Sequence, residues 1–419
     1  MPESYLVIGG SGFLGHRIVE FLLARGEAAV AVFDITQRHF EKNVTFYSGD
    51  ITVESEISNA IQKSNVTCII HTASPPHGLG TKVYWHVNVE GTKTVIAAAV
   101  ANGVRKLVFT SSAGTLFDGT ELIDCDERMP YPKFTSDLAY NETKAKAEEA
   151  VLAANGKNGL LTVAIRPAGI FGPGDRQMFP GFRQVIVNGQ TGFQIGDNTN
   201  LWDVTYVDNV VHAHILAADK LDAPLPPAEE LIEASLTPIS ASTGYHRIPT
   251  SAARPLGPAV EITPEAEAAA AAFRSTEPEE RPVTRSKFDP LASSVLDIDP
   301  SNKMQVAGQA FFITNGEPVY WWDFVRYSIK HMGHVHRGRK IVLPVKLGIW
   351  LGTAAEWWCK LVGKEAGFTR FRVQTVSTAR WYNIEKARRV LGYAPIVGLE
   401  EGVRRAAEAC LSLFMRVKV

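Results

Sequence analysis

The stretch Tyr5-Leu6-Val7-Ile8-Gly9-Gly10-Ser11-Gly12-Phe13-Leu14-Gly15 decides the fold. Four mostly apolar residues run into a glycine-rich turn, and a helical pattern from Phe13 to Arg25 follows. Glycines at such a junction permit a tight turn and let backbone N–H groups approach a pyrophosphate at the helix N-terminus. Gly9, Gly12, Phe13, Leu14 and Gly15 are therefore the expected cradle of a dinucleotide. A second apolar run, Ala28–Asp34, ends in a carboxylate about 20 residues on, where a strand would present it to the adenosine ribose. An acid there accepts bonds from ribose hydroxyls and repels a 2′-phosphate. Asp34 thus favours NAD, with NADP the alternative that nearby Arg38 keeps open.

Outward from this unit, apolar runs recur at Val44–Tyr47, Thr67–Thr72, Lys106–Ser111 and Leu161–Arg166. Helix-like stretches at Glu54–Lys63, Val83–Asn102 and Ser136–Asn155 separate most of them. Strand-helix alternation at this spacing predicts an α/β fold with a doubly wound parallel Rossmann sheet. Asp50-Ile51, after the third strand, reads as an adenine contact or as a helix cap. The expected division is 1–220 for the NAD-binding and catalytic domain, 221–302 for a flexible insertion, and 303–419 for a smaller C-terminal substrate lobe. The insertion holds roughly half of the 23 prolines and few large apolar residues, so it cannot bury much surface. Six of the eight tryptophans follow Asn315, which gives the lobe a character unlike the sheet.

Of 419 residues, 45% are hydrophobic and 21% charged, as in a soluble globular enzyme. A net charge of -1 provides no general attraction to nucleic acid or anionic lipid, so no polyanion partner, nucleic acid included, is expected. Cys68, Cys125, Cys359 and Cys410 lie far apart without CxxC spacing, which predicts reduced, structural thiols facing the cytosol. The first four residues are too few for a signal peptide before the first strand.

Lys106–Ser112 reads as a buried strand ending in two serines, and Tyr140-Asn141-Glu142-Thr143-Lys144 follows inside a helical pattern. Tyrosine and lysine four apart share a helix face. With eleven tyrosines in the chain, chance supplies such a pair about half the time, and Tyr382 with Lys386 is a second one. Only the first stands in register behind a nucleotide loop and a serine-bearing strand. Oxidising an alcohol needs a base near neutral pH, whereas free tyrosine titrates at about 10. A lysine ammonium about 4 Å away would lower that by about one to three units. Tyr140 is then the expected base, Lys144 its electrostatic partner and a ligand of the nicotinamide ribose. Ser112 is the first candidate to hold the substrate oxygen and Ser111 the second; strand-end capping is the plain alternative for both.

At these residues the chain resembles the extended short-chain dehydrogenases and, more closely, their 3β-hydroxysteroid dehydrogenase branch. Within that branch it is similar to the sterol-4α-carboxylate 3-dehydrogenases (decarboxylating). The stretches that carry the likeness include Gly9–Gly15, Val32–Ile35, His71–Pro76, Asn88–Thr92, Thr110–Ala113, Arg166–Asp175, Thr205–His214 and Phe311–Phe324. The resemblance implies oxidation of the 3β-hydroxyl of a 4α-carboxysterol to a ketone, followed by loss of CO₂ from C4. It places Ala73, Asn88, Pro167 and Ile170 at the cofactor. It also makes a homodimer and the other enzymes of sterol C4 demethylation candidate associations. One rival is a 3β-hydroxysteroid or triterpenoid dehydrogenase of a secondary pathway, acting on a substrate without the carboxylate; another, a sugar-nucleotide epimerase, would need basic and polar residues where this lobe has tryptophans and aliphatics.

His331, His334 and His336 have no acidic or cysteine partner at ligand spacing, so no metal is expected there. Ile341–Gly363 is strongly apolar but too interrupted to span a bilayer. Lys346, Thr353, Glu356, Lys360 and Lys364 would form one polar stripe on a helix. This predicts an interfacial helix at the cytosolic face of the endoplasmic reticulum membrane, in competition with an amphipathic lid over the substrate pocket.

Overall fold

The computed structural model describes residues 3–223 and 306–416, apart from 77, 128, 136, 137, 363–366 and 385. The insertion expected at 221–302 lies, but for its first three residues, outside the described residues. A 7-stranded parallel sheet is built from β1 (Tyr5–Ile8), β2 (Val30–Asp34), β3 (Val44–Ser48), β4 (Cys68–His71), β5 (Lys106–Thr110), β6 (Leu161–Pro167) and β7 (Gln309–Ile313). Its order is β7-β6-β5-β4-β1-β2-β3, with every neighbouring pair parallel. The order reverses at β1 and β4, and in such folds nucleotides bind outside the carboxyl ends of the strands at that point.

Strand β1 explains why the apolar runs do not alternate. Tyr5 and Val7 enter the core on one face of the sheet, and Leu6 and Ile8 enter a separate core on the other. Helix α1 (Phe13–Ala24) packs on the first face through Leu14, Ile18, Val19 and Leu22. Helix α2 (Glu54–Lys63) packs on the second through Ile57, Ala60 and Ile61. The helix expected at Val83–Asn102 comprises α3 (Thr81–Tyr84), a π-helical stretch Trp85–Gly91, and α4 (Thr92–Ala101). Such π-turns collect at functional sites because the extra residue re-aims side chains. Asn88 sits in this one. Helix α5 (Ala139–Ala153) lies beside it.

Two assignments in the expected division are corrected. Gln309–Ile313, placed with the C-terminal lobe by its position, pairs with β6 and completes the nucleotide-binding sheet. Leu122–Cys125 and Leu201–Trp202, placed in the first domain, instead join Arg380–Tyr382 and Val319–Tyr320 in a 4-stranded sheet of the lobe. A short apolar run serves any sheet, and long-range pairing alone decides which. The lobe adds α6 (Met178–Val187) and, following α7 (Val207–Lys220) of the main sheet, α8 (Trp321–His331), α9 (Val345–Leu361), α10 (Arg370–Ser377) and α11 (Leu399–Arg416). Its centre is aromatic: Trp202 and Trp321 meet edge-on at 4.3 Å, and Phe182 and Phe324 pack beside them.

Candidate active site

The glycine loop tolerates no side chains where it matters. Gly9 has φ +82, and a Cβ there would lie 2.7 Å from the Ala73 nitrogen. A Cβ on Gly15 would lie 2.3 Å from the Gly9 carbonyl oxygen. The Gly12 N–H donates to the Gly9 carbonyl at 2.9 Å, which closes the turn. Gly12 leads into α1 with no side-chain cap, so N–H groups of the first turn, at Phe13 and Leu14, are left for an anion. Asp34 ends β2 half-buried, and one of its oxygens accepts the Ser11 N–H at 3.0 Å. Its other oxygen suits a ribose hydroxyl. Asp50 accepts from the Thr52 backbone and hydroxyl at 2.9 and 2.8 Å, in the turn before α2, and Ile51 packs on Gly91. These residues fit a dinucleotide.

Three elements bring the Ser-Tyr-Lys set together. Ser112 follows β5 and starts a short 3-10 turn, Ala113–Leu116, that ends against Phe117. Its hydroxyl accepts the Gly114 N–H at 3.0 Å, so the capping alternative describes one of its roles. Its proton remains for a substrate oxygen. Ser111 is buried and its hydroxyl has no partner among the described residues. Asn141, next to Tyr140, donates to the Phe117 carbonyl at 3.1 Å and presses on Gly114, which pins the start of α5 to the serine turn. Lys144 is buried and its Nζ donates to the Thr110 carbonyl at 2.7 Å. Asn88 holds the assembly from the π-turn: it accepts from Ser74 at 3.0 Å and donates to Thr143 at 3.1 Å. Pro167 ends β6, and Ile170 sits in the short strand Gly169–Phe171 paired with Val204–Tyr206.

Burial dominates the electrostatics of the Tyr140–Lys144 pair. Burial pushes the Tyr140 phenol up to about 12, against a hydrogen bond with Ser74 that lowers it and beside Tyr84, which adds to the rise. Burial pushes Lys144 down to about 7, with Glu148 opposing. Lys144 does not figure among the groups that set the Tyr140 phenol in this arrangement, and the pull expected from its ammonium together with a cationic nicotinamide belongs to the protein with its cofactor bound. The Lys144 ammonium is spent on the Thr110 carbonyl and is itself poorly solvated. Glu148, one turn beyond Lys144, is held by Arg166 from β6 through a pair of 3.0 Å bonds, and by Tyr131.

Other sequence signals prove structural. Tyr382 is buried in the lobe sheet, and Lys386 donates to Gln309 and the Ala310 carbonyl at 2.8 and 3.1 Å. His334 and His336 bond the Thr191 hydroxyl, and His331 the Tyr327 carbonyl.

Three residues of consequence carried no sequence signal of their own. Ser74 and Tyr84 surround the Tyr140 hydroxyl and ring. Arg380 is the third. Its guanidinium is clamped between the rings of Phe117 and Trp202, 4.3 and 4.5 Å from their centroids. The Trp202 ring in turn borders Gly169 at the cofactor strand. Arg380 donates to the Thr375 carbonyl at 3.2 Å, but its Nε is buried without a partner. Burial pulls the group down to about 10, and no carboxylate among the described residues pairs with it. The side chain is half-buried, and a cation held among aromatic rings is costly unless an anion meets it.

A nucleotide loop at the switch point of a doubly wound sheet, with serine, tyrosine and lysine converging beside it, defines an NAD-linked dehydrogenase of alcohols. The sequence profile of the 3-beta hydroxysteroid dehydrogenase/isomerase family matches residues 6–234, and the chain belongs to that family. Among its relatives is the decarboxylating sterol-4-alpha-carboxylate 3-dehydrogenase of Schizosaccharomyces pombe, 38% identical over 97% of both chains. The enzyme of the same name from Mus musculus is 32% identical over 96% of this chain and 90% of its own. Among solved structures, dTDP-glucose 4,6-dehydratase from Bacillus anthracis in complex with NAD superposes with a TM-score of 0.60 at 15% identity, covering 97% of this chain and 96% of that one. That likeness is one of fold.

Proposed function

We propose that this enzyme oxidises the 3β-hydroxyl of a 4α-carboxysterol to a 3-ketone, with loss of the C4 carboxylate as CO₂. Similarity over nearly the full length to decarboxylating sterol-4-alpha-carboxylate 3-dehydrogenases carries this reading. Held by the Gly9–Gly15 loop and Asp34, NAD would supply the hydride acceptor for C3. Tyr140 takes the hydroxyl proton, and Ser112 donates to the same oxygen. The product is a β-keto acid. As its carboxylate departs, charge develops at C4 and spreads onto the C3 oxygen, where Ser112 and the protonated Tyr140 receive it as an enolate. A proton then returns to C4. Among the described residues Arg380, half-buried with its Nε lacking a partner, is a group suited to a substrate carboxylate, and a neutral 3β-hydroxysteroid would leave it unmatched.

On this reading the enzyme works at the cytosolic face of the endoplasmic reticulum membrane, among the other enzymes of sterol C4 demethylation, as a homodimer. The test supplies purified full-length protein with NAD and, in turn, a detergent-solubilised 4α-carboxysterol, the same sterol lacking the carboxylate, and a UDP-sugar. NADH and CO₂ should appear in equal amounts from the first. NADH without CO₂ from the carboxysterol, or turnover of the UDP-sugar alone, would overturn the assignment.

A further inference from the structure

The reaction leaves unused the end of the Thr205–His214 stretch, where α7 carries a histidine into the interior. His214 is fully buried. Its Nδ1 lies 2.8 Å from the Val210 carbonyl, one turn back, and a carbonyl only accepts, so Nδ1 carries the proton. The neutral ring then offers a lone pair at Nε2. The Thr110 hydroxyl stands 2.7 Å from that nitrogen and is therefore the donor. The partners fix one tautomer and one direction of the hydroxyl. Burial pushes His214 down to about 4, against the Val210 bond and with help from the Lys144 charge, so the ring stays neutral as this bond requires.

Thr110 joins the two faces of the main sheet. Side chains alternate along β5: Val108 enters the core shared with α1 and α7, and Phe109 enters the core on the other face. The Phe109 ring lies 4.7 Å from Lys144 Nζ. Thr110 follows on the Val108 side and meets α7 through His214. Its carbonyl lies one residue past the last β4–β5 pair, His71 with Phe109, and receives Lys144 Nζ at 2.7 Å. One residue thus holds Lys144 by its carbonyl and His214 by its hydroxyl, and Ser112 stands two positions on. Stability alone does not call for this polar pair. Replacing both partners of a buried hydrogen bond by apolar groups of the same shape can be nearly neutral. What threonine and histidine add is direction, since a hydroxyl held at Nε2 locks the threonine in one χ1 rotamer.

We infer that His214 is a positioning residue for the oxidation: from the far side of the sheet, through the Thr110 hydroxyl, it sets the carbonyl that holds Lys144. The inference rests on the reaction proposed above for the place of Lys144, one turn from Tyr140 and at the nicotinamide ribose. The test uses full-length protein. His214→Leu removes the acceptor, His214→Gln restores one at similar reach, and Thr110→Val removes the donor. kcat and KM are measured on the 4α-carboxysterol and on the same sterol without its carboxylate, each scaled to the folded fraction. His214→Leu and Thr110→Val should each lower kcat roughly fivefold to a hundredfold, with the sterol KM within about twofold of wild type. His214→Gln should recover most of the loss. The double variant His214→Leu/Thr110→Val should fall no further than either single one, because both remove the same link. Additive losses, no recovery with glutamine, or a kcat that returns to wild type once the folded fraction is counted would overturn the proposal. Should His214→Leu fail to fold, Thr110→Val against Thr110→Ser makes the same comparison, and equal losses from the two would sink it. Wild type that oxidises neither sterol would count against the reaction. The link is then judged on NAD affinity, where the same non-additive weakening is expected and its absence is decisive.

Discussion

Helices α5 and α9 break the ordinary rule of apolar inside and polar outside in opposite senses. Helix α5 buries Lys144 and Glu148 and leaves its alanines to do the packing. Helix α9 buries glycines and holds its tryptophans out. Each departure costs stability in the isolated chain, the first through desolvated charge and the second through exposed apolar area. The difference lies in what offsets the cost. For α5 it is partly internal, through the Arg166 bonds to Glu148. The remainder falls on Lys144, which has a carbonyl but no acid in contact. For α9 nothing among the described residues covers the face.

The largest effect expected on the inner side of this comparison is that of Tyr140→Phe. Losing the proton acceptor should reduce turnover by about 10²–10⁴-fold. NADH and CO₂ should fall together, because C4 cannot release its carboxylate readily until C3 is a ketone. Parallel assays of both products decide it. Continued CO₂ release without NADH would detach the two steps.

Arg380→Met should produce a smaller and more selective loss. A hydrogen bond to a charged group is worth about 1.5–3 kcal/mol, or roughly 10- to 150-fold in kcat/KM for the carboxysterol. The same sterol without its carboxylate should be oxidised as well as by wild type, or better, since the unmatched half-buried cation is gone. Equal losses on both substrates would show that Arg380 merely supports the Phe117–Trp202 clamp.

The legibility of the sequence divides along the same line. The β1–loop–α1 unit, the strand runs and the Tyr140–Lys144 spacing are local patterns, and the structure gathers Ser112, Tyr140 and Lys144 through bonds at Thr110, Gly114 and Phe117. Arg380 was not legible. Its surroundings come from Phe117, Trp202 and Thr375, residues that only long-range strand pairing assembles. Membership of β7 in the main sheet was hidden for the same reason, since its partner β6 lies far back in the chain. The polar stripe on α9 was visible in sequence, but which side faced the protein was not. The glycines at 348 and 352 settle that, because they admit the closest approach of α10.

Lys144 offers the finest probe, because its cost can be read as a pH dependence. In the unfolded chain its ammonium titrates at about 10.4, and in the fold burial lowers this to about 7. Between those values the unfolded state binds more protons, so folding stability gains with rising pH across this window. Below about pH 7 both states are protonated and the penalty is fully present; above about 10.4 it has vanished. Lys144→Met removes the charge at similar length. It also gives up the bond to the Thr110 carbonyl, so the net gain should be on the order of 1 kcal/mol near pH 6–7. Thermal unfolding of the two proteins without cofactor should therefore show the variant more stable at pH 6.5, with the curves converging toward pH 10, although the variant should lose activity. His71 and His214, pushed down to about 3 and 4 by burial and further by the Lys144 charge, should weaken both proteins below about pH 6.5, the variant less than wild type because it lacks that charge. A variant less stable than wild type across the whole range would mean that Lys144 is a structural anchor, and that α5 bears no cost for its catalytic charge.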